Sequence, residues 1–200
     1  MQTNTIENQT LALDEVEPDT VYVNCHFGYS NDTIRISDVT FRHCEFQQSN
    51  FADAEWTDCT FENIDWLNAT AHRNVFFSCD FSNCLLMGLD LTGSQLKQTT
   101  FTACKATYIN VSETLLDHVT FADCQLIDSA FQAIKVKGAL TFSQCDLTGI
   151  DFTDSPLKQV DISTSYFETL HLSLERIMGL TISPLQATQL ITLLGVKISD

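Results

Sequence analysis

Eight cysteines and five histidines are the residues of this chain that could bind a metal or act as nucleophiles. None of the cysteines forms a Cys-x-x-Cys pair, and the histidines are scattered without a ligand spacing. The sequence also lacks a glycine-rich phosphate loop and a Gly-x-Ser-x-Gly nucleophile turn. We therefore expect no enzyme activity and no catalytic, cofactor-binding or metal-binding residue.

Acidic side chains are the second feature with chemical consequences. Twenty-six Asp and Glu residues against ten Lys and Arg residues give a net charge of −16, spread along the chain. Such a surface repels nucleic acid and membranes and favours basic protein partners. The absence of a run of roughly 18 apolar residues argues against a membrane span. The first ten residues do not resemble a secretory signal, so we expect a cytoplasmic protein.

A five-residue repeat organises the chain. From Phe41 to Val136 every fifth residue is apolar, and after one added residue the series resumes from Phe142 to Ile182, which makes 29 apolar positions. Neither a helix, with a period of about 3.6, nor a strand, with a period of 2, explains this spacing. The pattern predicts a chain that turns a corner in every repeat and sends one side chain, the central residue, inward each time.

Two further patterns support a solenoid with four sides. The residue two places before each central residue is mostly small or apolar, as at Val39, Cys44, Ser49 and Ala54, so both side chains fit a narrow core. Phenylalanines recur every twenty residues, so four pentapeptides form one coil and we expect their rings to stack. This column consists of Phe41, Phe61, Phe81, Phe101, Phe121 and, after the added residue, Phe142.

The cysteines follow the same register. All eight lie two residues before a large apolar or alanine position, where a small buried hydrophobe is expected: Cys25, Cys44, Cys59, Cys79, Cys84, Cys104, Cys124 and Cys145. The last four should stack at about one inter-strand spacing, near 4.8 Å. That distance leaves a disulfide or a metal open, although a reducing compartment disfavours bridges.

The two ends of the chain differ from the repeat. Residues 1–20 show no five-residue register and are predicted to form an N-terminal cap, residues 21–182 the solenoid, and residues 183–200 a helical and dimerisation segment. Ser183 and Pro184 predict a helix start, and Gly195 predicts its end. A helix this short must bury its apolar face, so a dimer interface is predicted at Ala187, Leu190, Ile191 and Leu194.

The repeat resembles that of the pentapeptide-repeat family. Stretches such as Cys44-Glu45-Phe46 and Cys79-Asp80-Phe81 fit its consensus of a small residue, Asp or Asn, then Leu or Phe, and the resemblance covers roughly residues 36–182. It implies an all-β fold, a right-handed quadrilateral parallel β-helix, here with a short C-terminal capping helix.

The C-terminal segment narrows the resemblance. A Ser-Pro-Leu start, a leucine-rich helix and an acidic terminus are similar to those of the Qnr-type quinolone-resistance proteins and of immunity proteins against albicidin or microcin. Residues 137–145 are especially similar to the albicidin-resistance member. The resemblance implies a homodimeric rod that mimics DNA and binds DNA gyrase or topoisomerase IV without binding nucleic acid. The alternative is a scaffold that binds an unrelated regulatory protein, because many members have no known target.

The expected dimensions agree with DNA mimicry. About eight coils at 4.8 Å give a rod roughly 39 Å long, and duplex DNA of that length carries about 23 negative charges. A charge of −16 is of the same order. The register places acids on several sides, so a partner would meet negative charge from several directions. The candidate partner-binding acids are Glu45, Asp53, Asp58, Glu62, Asp65, Asp80, Asp90, Glu113, Asp146 and Asp154.

Overall fold

A computed structural model describes residues 4–30, 32–193 and 195–197 of the chain, which winds as a parallel β-helix closed by one short α-helix. The helix α1 spans Pro184–Leu193, and two single 3₁₀ turns span Leu13–Glu15 and Leu174–Arg176. The strands are β1 (Asn4–Glu7), β2 (Thr10–Ala12), β3 (Thr20–Val23), β4 (His26–Gly28), β5 (Arg35–Ser37), β6 (Val39–Arg42), β7 (Glu45–Phe46), β8 (Glu55–Thr57), β9 (Thr60–Glu62), β10 (Val75–Phe77), β11 (Asp80–Ser82), β12 (Gln95–Thr102), β13 (Leu115–Ala122), β14 (Lys135–Val136), β15 (Leu140–Ser143), β16 (Ile150–Phe152), β17 (Val160–Asp161) and β18 (Leu170–Leu172).

Strand pairing sets the length of one coil. In the middle of the chain each strand pairs in parallel with the strand twenty residues later, as Phe61 does with Phe81 and Phe81 with Phe101. Four pentapeptides therefore make one turn, as the repeat predicts, and the parallel β-helix is confirmed. We number its sides by the central residues that they contain: face 1 runs through Phe41, face 2 through Phe46, face 3 through Phe51 and face 4 through Trp56. Each face also includes the residue before every central residue and the two after it.

Aromatic rings fill the core along face 1. Neighbouring rings from Phe61 through Phe81 and Phe101 to Phe121 are nearly parallel, with centroids 4.5–4.7 Å apart. The predicted single stack is confirmed, and it continues to Phe142 at 5.4 Å. Of the 29 predicted central positions, 24 are buried, and the half-buried ones are Phe46, Val136, Leu172, Ile177 and Ile182.

The corners depend on a backbone conformation that the apolar pattern did not reveal. The second residue after each central residue has a positive φ in most repeats, for example Asn63 (55°), Asn83 (53°) and Asp128 (52°). Asn, Asp and Gly tolerate this left-handed region best. Their enrichment at this position in the sequence is the signal that could have predicted the corners.

The register shifts in three places. One coil between β3 and β6 has nineteen residues, so Tyr22 pairs with Phe41 and extends the aromatic stack at 5.9 Å, which the sequence reading missed. The coil that contains Gly138 has twenty-one, since Val119 pairs with Leu140. Strand β1 pairs with β3 at an offset of sixteen, so the predicted cap is itself made of strands that continue the sheet. The boundaries at residues 20 and 182 stay a prediction.

One inward position was predicted wrongly. Ser49 is exposed, and the neighbouring Gln48 is buried instead. The Gln48 side chain accepts a hydrogen bond from the Ser30 N–H at 2.9 Å and donates one to the Asn50 carbonyl at 2.9 Å. The coil beneath Ser49 is irregular after β4 and has no regular pentapeptide at this position. Ser49 therefore has no equivalent inward residue below it on which to stack.

The C-terminal helix closes the solenoid as the sequence predicts, and one side chain fixes it. Ser183 Oγ accepts a hydrogen bond from the Gln186 N–H at 3.2 Å, while Gln186 Oε1 accepts one from the Ser183 N–H at 2.8 Å. This is a reciprocal capping box. The buried Gln186 Nε2 also donates to the carbonyls of Ile162 and Ser165, both at 2.7 Å, and so ties the helix to the last coils. Within the described ranges, no helix has the length and apolarity needed to cross a membrane.

Candidate interaction surface

The ten candidate acids lie on all four faces of the β-helix. Their distribution follows from the register, since residues twenty apart share a face. Face 1 holds Glu62 and Asp80, face 2 holds Glu45, Asp65 and Asp146, face 3 holds Asp53, Asp90, Glu113 and Asp154, and face 4 holds Asp58.

Three of these acids also hold the backbone. Asp65, Asp90 and Asp146 each precede a central residue, and one carboxylate oxygen of each accepts the N–H two residues later, at 2.8–3.0 Å. This Asx turn stabilises the corner locally. Asn110 makes the same bond, so an amide can replace the carboxylate there. An Asp-to-Asn substitution at these positions should therefore remove the negative charge and keep the turn.

Two other acids are paired with arginines within the molecule, and His26 and His72 contact Glu45 and Asp90. Arg73 donates two hydrogen bonds of 2.7 Å to the Asp53 carboxylate and lowers the pKa of Asp53. Arg42 in the same way donates to Glu62 and lowers its pKa. Both pairs join adjacent coils. Because an arginine already neutralises them, Asp53 and Glu62 offer less negative charge to a partner than the other candidates.

Basic residues are concentrated on one face, which the sequence reading did not anticipate. Face 4 carries six of the ten Lys and Arg residues, so the acidic character of the rod belongs to faces 1, 2 and 3. The chain passes the faces in numerical order, which places face 4 opposite face 2. The six are Arg35, Lys97, Lys135, Lys137, Lys158 and Arg176.

The cysteines lie in the core, as their register predicts. All eight are free, and their exposed fractions do not exceed 3%. Each thiol of the predicted column donates to a carbonyl of the coil below, as Cys104 Sγ does to the Phe81 oxygen and Cys124 Sγ to the Phe101 oxygen. Burial raises the pKa of the Cys44 thiol to about 11. Among the described residues, no group of three or more His, Cys, Asp or Glu side chains is arranged to hold a metal ion.

The predicted dimer residues are divided between the helix interior and its surface. Leu190 is half-buried against the last coils and Ala187 is also half-buried, whereas Ile191 is 41% exposed. Leu194 lies outside the described residues. Beside the helix is an apolar depression of about 140 Å³, and its lining residues are Leu170, Leu172, Leu174, Ile177, Leu180, Ile182 and Leu190.

Comparisons with known proteins match this architecture. Residues 75–140 match the family model described as pentapeptide repeat region. The chain is 31% identical over 94 residues to pentapeptide repeat protein MfpA of Mycobacterium tuberculosis. That match covers 47% of this chain and 48% of MfpA, so it spans about half the length of this curated relative.

Solved structures of QnrB1, described as a plasmid-mediated fluoroquinolone resistance protein, share the fold. One trypsin-treated form superposes with a TM-score of 0.57 at 20% identity and covers 98% of both chains. A second gives a TM-score of 0.52 at 22% identity and covers 100% of this chain and 94% of that one. The five-residue repeat and the four-sided coils agree with the family model, which identifies residues 75–140 as a pentapeptide repeat region, and the chain shares the fold of QnrB1.

Proposed function

We propose that this protein is a DNA mimic that binds DNA gyrase or topoisomerase IV in the cytoplasm and protects it from quinolones or from a natural gyrase toxin. The observation that carries the proposal is a regular four-sided rod with a net charge of −16. Its acids are distributed along a rod whose coils are about 4.8 Å apart, where they would take the place of the phosphates of a duplex. Its role would be to bind rather than to catalyse.

The relatives support the proposal from another direction. QnrB1 is a fluoroquinolone resistance protein by its description, and its fold matches over nearly the whole of this chain. The C-terminal segment of our sequence is similar to those of the gyrase-directed Qnr and immunity proteins. These similarities favour a topoisomerase over an unrelated protein as the target.

The direct test uses purified gyrase and topoisomerase IV. We expect micromolar protein to change DNA supercoiling by gyrase and to reduce the DNA cleavage that a quinolone or a toxin such as albicidin stabilises. Binding should weaken as the salt concentration rises, because the attraction is largely electrostatic. If neither supercoiling nor drug-stabilised cleavage changes, the proposal fails, and a scaffold for an unrelated regulatory protein becomes the better explanation.

We also propose that two chains join through the C-terminal end. Leu174, Met178 and Leu185 are 51%, 85% and 73% exposed there, next to the apolar depression beside the helix. Exposed apolar side chains in one place are typical of a covered interface.

Light scattering tests the dimer. We expect a dimer for the unchanged protein and a monomer after Leu190→Asp together with Leu194→Asp. Because Leu190 also packs against the last coils, the surface variant Leu185→Asp with Ile191→Asp separates loss of the interface from loss of packing. A dimer that survives both pairs of substitutions would place the interface elsewhere.

A further inference from the structure

Exposed large apolar side chains mark one face of the solenoid. Among the described residues from 20 to 170, six large hydrophobic side chains are exposed, and every one of them lies on face 2. Single exposed hydrophobics are ordinary on a protein surface, but confinement to one of four equivalent faces is not. The six residues are Tyr29, Leu67, Leu85, Met87, Tyr108 and Tyr166.

Four of the six lie on three adjacent coils. Leu85 and Met87 flank the buried Leu86, and both are 41% exposed. Leu67 and Tyr108 lie on the coils below and above, with exposed fractions of 49% and 60%. Backbone contacts confirm that these coils are adjacent, since the N–H of residue 68 donates to the Met87 carbonyl at 2.9 Å. We call Leu67, Leu85, Met87 and Tyr108 the apolar patch, which extends about 10 Å along the axis.

Two open depressions lie on the same face, and the larger one adjoins the patch. Their volumes are about 380 and 280 Å³, and both are lined by Glu45, Phe46 and Gln47. Asp65 and Leu67 also line the larger one, so it connects the acids to the apolar patch. The depressions lie beside the irregular coil, where Phe46 is half-buried. Face 2 thus combines an apolar patch with a recess that is lined by the exposed carboxylates of Glu45 and Asp65.

We propose that the topoisomerase docks on face 2 and presents a basic side chain next to an apolar one. The basic group would enter the larger depression between Glu45 and Asp65, while the apolar group covers Leu67 and its neighbours. This inference rests on the proposed function and specifies which face of the rod contacts the partner. A polyanion mimic needs negative charge alone, whereas an apolar patch on one face selects a single side for the contact.

Charge distinguishes this occupant from a second copy of the chain. Glu45, Asp65 and Asp146 lie on face 2 with Lys105, and two such faces brought together would place acids against acids. A basic partner meets no such repulsion. Face 4, on the opposite side, carries most of the lysines and arginines and would point away from a basic surface.

Matched substitutions on faces 2 and 4 test the apolar patch. The test variant is Leu85→Thr with Met87→Thr, and the control is Val75→Thr with Phe77→Thr. The two pairs occupy the same pentapeptide positions on opposite faces, and threonine already stands in the columns of Met87 and Phe77, at Thr107 and Thr57. We expect the test variant to weaken binding to purified gyrase by roughly tenfold or more and the control to change it less than about twofold.

A second pair of variants tests the recess. Glu45→Gln with Asp65→Asn removes two charges on face 2, and asparagine keeps the Asx turn. The control, Asp58→Asn with Asp80→Asn, removes two charges on faces 4 and 1. We expect the face 2 pair to lower affinity several-fold and to flatten its salt dependence more than the control does.

The outcomes separate this inference from the proposed function. If the unchanged protein binds neither gyrase nor topoisomerase IV, both the proposed function and this inference are wrong. If it binds and the face 2 variants bind as well as their controls do, the docking face is wrong while the target stands. A change of oligomeric state by light scattering in the face 2 variants would identify a contact between copies and overturn the inference. Weaker binding by both face 2 variants, with unchanged controls and melting temperatures, supports it.

Discussion

The middle coils and the C-terminal end of the β-helix bury apolar side chains to different degrees. Between Phe61 and Phe121 the rings stack at 4.5–4.7 Å and are at most 2% exposed. In the last coil Leu172 and Ile177 are half-buried, and Met178 is 85% exposed. The middle is complete within one chain because each coil covers its neighbour. The end has no following coil, so a helix and, in our proposal, a second chain must cover it.

The largest expected effect lies in the middle. Phe101→Ala removes a ring held 4.7 Å from Phe81 and 4.5 Å from Phe121, and should lower the free energy of unfolding by about 3–5 kcal/mol. Leu172→Ala in the last coil should cost about 1–2 kcal/mol, because that side chain is half-buried. Urea unfolding followed by tryptophan fluorescence measures both. Equal losses would contradict the difference between the two regions.

At the C-terminal end we expect the largest effect from Gln186→Met. The substitution keeps the size of the side chain but leaves the carbonyls of Ile162 and Ser165 without their donor and removes half of the capping box. The cost should be about 2 kcal/mol, confined to the helix and the coil beneath it. Hydrogen exchange of the helix amides is the measurement. Gln189→Met in the same helix is the control, and equal protection in the two variants would argue against the anchoring role.

Two glycines near the transition between these regions should respond differently. Gly149 has a φ of +76° at a corner, so Gly149→Ala should cost about 1–2 kcal/mol. Gly138 lies at the added residue without a positive φ, and a methyl group there would meet the half-buried side chain of Asp117 and the exposed side chain of His118. Because these can move, Gly138→Ala should cost less than about 1 kcal/mol. Thermal melts in parallel would show the order, and a reversed order would place the strain at the register break.

Acid should weaken the middle coils slightly through Asp53 and Glu62. Their arginine partners lower both pKa values in the folded state, so this stabilisation is present above the unfolded-state values, near 4, and is lost as the pH falls through the lower folded values. Stability should therefore be level from about pH 5 to 8 and decline below about pH 4. Since Asp53 is exposed, the effect of Asp53→Asn should be small. A variant that unfolds along the same acid curve as the unchanged protein would exclude the contribution of this pair.

The sequence was sufficient to predict the coil but not its irregular parts. The spacing of Phe61, Phe81 and Phe101 specifies four pentapeptides per turn, because inward side chains of neighbouring coils must stack. The same rule failed at Ser49, where the coil beneath is irregular and no stack forms. It also missed Tyr22. Because the coil from Tyr22 to Phe41 has nineteen residues, Tyr22 does not fall in the twenty-residue series.

The candidate interaction surface was harder to predict from the sequence than the fold. Acids were easy to find, but their pairing with arginines depends on which coils are adjacent, as for Asp53 and Arg73. The sequence analysis did not predict a surface at Leu67 and Met87, because single apolar residues at outward positions are common on protein surfaces. They become a patch when twenty-residue neighbours are compared face by face, which the sequence alone would have allowed.

The twenty-residue coil has a consequence for how such proteins can change in length. Inserting or deleting one whole turn would shift everything beyond it by about 4.8 Å along the axis while leaving each outward column in phase. A gain or loss of five residues would instead rotate the distal half by one quarter turn and move its columns to the next side. Adding complete turns would thus change only the length of the rod, whereas adding single repeats would change which face the distal side chains occupy.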